Sequence, residues 1–176
     1  MEQTEKFTLG FYFHALTGIV REPRRFFSGL PPDMRLKRPL GFLLVSSLFF
    51  TAAGLVSNMP SNPVFLGGVL FVNAVGMVFI AAGLGYMLMV MFMGKRVTFS
   101  LFFSVYAFSS GVTLLASWLP FFVWLTEPWK WWLIWTGMTK GLGFRWTQTV
   151  LIIGVSIGIM ILFFWSVLPV VSQKGG

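Results

Sequence analysis

The residues able to do chemistry in this chain are few, and their scarcity bounds what it can do. His14 is the single histidine and cysteine is absent, which removes two-histidine metal pairs, thiolate nucleophiles and disulfides, and makes a histidine-centred triad implausible. No acidic residue occurs between Asp33 and Glu127 and none follows Glu127, so the apolar stretches lack the carboxylates that usually carry proton relays or bind coupling cations. The glycines of Gly83 to Gly85 are not followed by the Lys and Ser or Thr of a phosphate loop. No catalytic, cofactor or metal site is expected.

What remains is a set of small polar side chains within apolar sequence. Ser46, Ser47, Thr51, Asn73, Ser104, Tyr106, Ser109, Ser110, Thr113, Thr136, Thr139, Gln148 and Ser156 suit hydrogen bonding between helices, or the lining of a narrow polar cavity. Asn73 is the most demanding, because an unmet amide in hydrocarbon costs several kcal/mol. The expectation is an Asn73 amide paired with the hydroxyl of Ser109 or Ser110.

The elements that carry these residues are membrane helices. Apolar residues make up 56% of the chain and charged residues 10%, with a mean hydropathy of +0.81, whereas about a quarter of a soluble domain is charged. Five apolar stretches are marked, roughly Leu40 to Ser57, Val64 to Met93, Leu101 to Leu125, Trp129 to Leu142 and Thr147 to Val171. The bases sort by loop. Lys6, Arg21, Arg24, Arg25, Arg35, Lys37 and Arg38 precede the first stretch, Lys95 and Arg96 follow the second, and Lys140 and Arg145 lie at the junction of the fourth and fifth; only Lys130 and Lys174 fall on the other side. By the positive-inside rule the N-terminus is cytoplasmic, and five crossings put the C-terminus on the opposite side. The fold class is an all-α integral membrane protein, a five-helix bundle with one or two amphipathic surface helices before it. The expected division is 1–39 as a basic cytoplasmic segment and 40–176 as the membrane domain.

Phe7 to Val20 gives only about 21 Å of helix, too short for a bilayer of about 30 Å. Gly10, His14, Thr17 and Arg21 form a polar stripe opposite Phe7, Phe11, Phe13, Leu16 and Val20, so this helix should lie along the surface with its apolar face among lipid headgroups. A signal peptide is the competing reading, but Met1 to Lys6 is not net basic and no clear small-residue cleavage site follows. Pro23 can open a second short helix that Pro31 and Pro32 end. Arg21, Arg24, Arg25, Arg35, Lys37 and Arg38 then form a basic approach to the first span, suited to anionic lipid or an acidic protein partner as well as to fixing topology. The net charge of +8 does not point to nucleic acid, because the bases flank spans.

Three small-residue pairs at a spacing of four mark expected helix contacts: Ala81 with Gly85, Gly137 with Gly141, and Gly154 with Gly158. Packing within the bundle is one use for them, and a homo-oligomer face is another. Trp118, Trp124, Trp129, Trp131, Trp132 and Trp135 are expected to form an aromatic belt at the outer interface, with a cation-binding cage as the sharper alternative. Pro120 predicts a bend near Trp118.

These residues also resemble a known pattern. The run Arg21 to Leu40, with Pro23, Phe26, Phe27 and Leu30 before Pro39, resembles the start of the Yip-type membrane domain. Tyr106, Ala107, Ser109 and Ser110, then Leu114, Leu115 and Trp118-Leu119-Pro120, are similar to its third span, and Trp132 through Gly141-Leu142 to its short fourth helix. The resemblance runs from about Arg21 to Val171. It implies a five-span membrane protein acting as an adaptor or organiser; the better-understood relatives act in membrane traffic. The chain lacks the long polar N-terminal region of many eukaryotic members, which weighs against carrying over their binding to small GTPases. Two functions follow as expectations: a non-enzymatic scaffold or accessory subunit of a membrane complex, or a small-solute or lipid transporter with a polar cavity.

Overall fold

The computed structural model describes residues 7–59, 61–94 and 97–172, and every regular element among them is helical. Helix α1 spans Leu9–Arg21, α2 Pro23–Ser28, α3 Lys37–Asn58, α4 Pro63–Met93 and α5 Phe99–Ser117. A 3₁₀ turn at Pro120–Phe122 leads into α6, Val123–Thr136, which widens into a π turn at Gly137–Gly141 before α7, Trp146–Ser172. Local chemistry sets most of these limits. The Thr8, Asn62 and Thr98 side chains accept from the amides of Phe11, Phe65 and Leu101 at the starts of α1, α4 and α5. Gln148 reaches back to the Arg145 amide at 3.0 Å, half of a capping box opening α7. Gly94, with φ of +57°, ends α4 in the left-handed region that glycine enters without strain.

Among the described residues, three segments are long and apolar enough to cross a membrane: Lys37–Ser57, Pro63–Phe92 and Phe99–Ser117. Their burial differs. α5 is the central rod, with every residue from Leu101 to Thr113 buried. α3, α4, α6 and the α1–α2 hairpin are arranged around it. Aromatic rings make much of that contact: Phe79 lies 4.5 Å from Phe103, and Tyr86 lies 5.3 Å from Phe99. Phe108 touches three elements at once, with ring centroids 5.2 Å from Phe42 of α3, 5.2 Å from Phe26 of α2 and 6.3 Å from Phe11 of α1.

The third and fourth stretches are divided differently from the sequence expectation. The chain breaks at Trp118 to Pro120, as the proline predicts, but α6 then runs unbroken through Glu127 and Pro128 instead of starting at Trp129. Pro128 lies inside α6, where it removes the one amide that would donate to the Trp124 carbonyl. α6 returns alongside α5. Ser117 and Thr126 hydroxyls are 3.1 Å apart, and a Cβ on Gly137 would lie 2.5 Å from Val105. Trp124 to Trp135 therefore spread over about 16 Å of helix. Trp124 is 87% exposed, whereas Trp132 lies beside Arg21 to Arg25. The tryptophans do not form one belt.

The N-terminal segment is not a separate piece. Tyr12, Ala15 and Ile19 of α1 and Phe27 of α2 are buried in the common core. Tyr12 stacks on Phe42 at 4.8 Å, and its hydroxyl lies 3.2 Å from that of Ser46. Of the face expected to meet lipid, Leu16 is half-buried, Phe13 and Val20 are exposed together with Leu9, and Phe11 turns inward onto Phe108. α1 thus has a protein-facing stripe and a separate outward apolar stripe. A boundary at residue 39 cuts through one packing unit.

Candidate functional site

The basic residues are placed by an elbow. Glu22 leaves the helical region (φ −138°, ψ 63°) because the proline after it disfavours that conformation, and Pro23 then occupies the first turn of α2, where no amide donor is needed. α2 folds back on α1 at Gly18, where a Cβ would stand 3.1 Å from the Phe26 ring. Below the elbow, the Ser100 hydroxyl donates to the Met34 carbonyl, tying the approach to α3 to the start of α5. The π turn holds the other side: a Cβ on Gly141 would lie 2.9 Å from the Phe27 carbonyl oxygen, and one on Gly137 would lie 3.1 Å from the Phe27 ring. The segments bearing Arg21 to Arg38 and the segment bearing Lys140 and Arg145 therefore meet at one end of the bundle. Lys95 and Arg96 lie outside the described residues.

Between α1, α2 and the first turn of α3 lies a cleft of about 590 Å³. Arg21, Arg25 and Arg38 line it together with His14, Glu22 and the apolar side chains of Phe11 and Phe26. Arg25 pairs with Glu22 at 3.3 Å on an exposed edge, a contact worth at most about 1 kcal/mol. Arg38 sits deeper. Its guanidinium carbon is 5.1 Å from the Phe11 ring centroid, a cation–π distance, and its buried Nε has no hydrogen-bond partner. Arg24 lines a second recess of about 390 Å³ beside Trp132. Arg35 and Lys37 are exposed and line neither recess. The cleft can hold an anion, and the Thr17 hydroxyl that lines it donates to the Phe13 and His14 carbonyls of α1.

The other expected site residues are scattered. Gly85 lies against Tyr106 and Phe102, where a Cβ would come within 2.7 Å of the Tyr106 hydroxyl, and Ala81 lines a neighbouring cavity of about 80 Å³ with Ser110. Gly137 lies against Val105 of α5 as well as the Phe27 ring, and Gly141 lies against the Phe27 backbone. Gly154 and Gly158 face open space, with nothing within 4 Å of a Cβ at either; the structure gives them no internal seam. The Asn73 pairing is absent: Asn73 is exposed on α4, while Ser109 and Ser110 are buried on α5. The reason is helical phase, because the buried side of α4 runs through Ala74, Val78 and Ala82, one position round from Asn73.

Glu127 falls between the third and fourth apolar stretches of the sequence, yet it lies inside α6. Glu127 accepts from Lys130 at 2.6 Å within α6, and the Lys130 ammonium lies 5.6 Å from the Trp131 ring centroid. Lys130 lines the same small cavity as Tyr106 and Ser110, opposite residues 77–81 at the middle of α4. The pair neutralises itself, and its spacing of three is the readable signal.

Apolar helices of spanning length, packed about a buried central helix with a basic elbow at one end, define a polytopic helical membrane protein. The chain belongs to the Yip1 family: the model of the Yip1 domain matches residues 17–168, from the second half of α1 nearly to the end of α7. No curated protein and no solved structure matches it.

Proposed function

We propose that this Yip1-family protein is a non-enzymatic membrane adaptor that recruits an acidic protein partner to the bilayer through the basic end of its bundle. The observation that supports this reading is that the basic hairpin is clamped to the central helix through Phe26 against Phe108 and to the π turn through Phe27, while Arg24 and Lys37 stay exposed. A rigid platform presents charge at low entropic cost, which suits recognition of a partner. Transport draws less support, since the cavity beside Ser110 is about 80 Å³, room for a few waters at about 30 Å³ each.

The test is crosslinking in the native membrane with Arg24→Glu and Lys37→Glu combined. Partner recovery is expected to fall at least tenfold, as charge reversal at a recognition rim commonly costs several kcal/mol, with insertion unchanged. Full recovery in the reversed variant would refute the reading. Removing Met1 to Arg38 would not serve, because it takes Tyr12, Ile19 and Phe27 out of the core.

The proposed topology places the basic end in the cytoplasm, at the anionic leaflet, with α6 and its π turn as the fourth crossing and α7 as the fifth. With no native cysteine, a single cysteine near Ser172 should react with an impermeant maleimide added outside intact cells. Labelling only after permeabilisation would require an even number of crossings.

A further inference from the structure

We infer that the cleft between α1, α2 and the start of α3 binds the phosphate group of an anionic phospholipid, held chiefly by Arg21 and Arg38. The inference rests on reading the basic end as the cytoplasmic recruiting face, and it adds a second ligand there. A volume of about 590 Å³ falls within the range of small-molecule sites, about 300 to 1,000 Å³. Its charge is unbalanced, with three guanidinium groups against the single carboxylate of Glu22. Glu22 is engaged by Arg25. That leaves Arg21 and Arg38 without an ion-pair partner among the described residues, and Arg38 with a buried Nε that donates to nothing. A buried donor left unmet is costly, and a phosphate oxygen satisfies it with a charge-assisted bond. The planar guanidinium fork fits phosphate geometry better than an ammonium does.

Position argues for a lipid as the source of that phosphate. Arg38 lies in the first turn of α3, inside the apolar segment that begins at Lys37. The opposite wall is α1, whose Leu9, Phe13 and Val20 form one exposed apolar stripe, as in helices that lie in the headgroup layer. Within the cleft, Phe26, Leu30 and Met34 supply an apolar wall against which a glycerol backbone can rest. A choline headgroup would bring its own cation among the arginines, so selectivity for a net negative headgroup follows.

Native mass spectrometry of the full chain tests this, with phosphatidylglycerol and phosphatidylcholine offered together. The wild type should retain phosphatidylglycerol in preference. That preference should fall about tenfold or more in Arg21→Gln/Arg38→Gln, the loss of charge-assisted bonds, and stay unchanged in Arg24→Gln/Lys37→Gln. Arg21→Gln alone, at an exposed position, should show a smaller loss and guards against misfolding of the double variant. Equal retention of the two lipids, or equal loss in both double variants, would overturn the site. Displacement of the lipid by inorganic phosphate or glycerol phosphate at comparable concentration would overturn the lipid as its occupant. Partner recruitment is read separately by the charge-reversed Arg24 and Lys37 variant, so either reading can fail without the other.

Discussion

Phe27→Ala is expected to lower the stability of the folded protein by about 3–5 kcal/mol, the range for truncating a fully buried phenylalanine. Phe27 has no exposed surface. It fills the space over Gly137 and Gly141 and meets Phe26 edge-on at 5.5 Å. Because α2 has only six residues, it cannot hold itself as a helix in water, and tertiary contact must supply its stability. The truncation leaves a cavity that α2 has little other contact to close. The loss should therefore appear locally before it appears globally, as detachment of the hairpin. A detergent-solubilised variant should melt at a lower temperature, and trypsin should cut at Arg24, Arg25 and Arg35 at temperatures where the wild type resists, since cleavage needs local unfolding. Unchanged melting and an unchanged cleavage pattern would show that the hairpin is held elsewhere.

Hydropathy and charge made the class legible because both are bulk properties of segments. A long run of apolar residues and the sorting of bases between runs survive any error in helix phase, and the segments bearing Arg21, Arg38 and Arg145 do meet at one end of the bundle. Pro23 and Pro120 were legible for a different reason, since a missing amide acts locally wherever it falls. What failed depended on phase or on a partner far away in sequence. Asn73 was assigned to the interior by polarity, yet the face of α4 that is buried is decided by which helix lies beside it. The pairs Gly137/Gly141 and Gly154/Gly158 look alike in sequence; one is filled by a phenylalanine more than a hundred positions earlier and the other faces open space. Glu127 and Pro128 looked like a loop because charge and proline usually interrupt a span, whereas an ion pair within one helical turn lets α6 continue. The cleft itself was only half visible: its arginines stood out, but the fold of α1 onto α2 that encloses them depends on Phe26 meeting Gly18.

That contrast between the glycine pairs yields the second large effect. Gly137→Ala is expected to destabilise by about 3 kcal/mol, the upper end of overpacking, while Gly154→Ala should be neutral or slightly stabilising, as alanine is the better helix former. The new methyl at residue 137 would stand 2.5 Å from Val105 Cγ1 and 3.1 Å from the Phe27 ring, inside van der Waals contact on both. Val105 belongs to the buried central helix and cannot swing into lipid. The strain must then move α6 away from α5 or push Phe27 out, and either loosens the hairpin. A compensating change separates this from a simple helix-propensity effect, which would favour alanine at both positions. Val105→Ala alone leaves a cavity and costs stability; combined with Gly137→Ala it removes the methyl that clashes. The double variant should be more stable than the sum of the two single losses predicts by at least about 1 kcal/mol, the coupling expected of residues in contact. Strict additivity in thermal unfolding would mean that the π turn relaxes around the new methyl without pressing on α5.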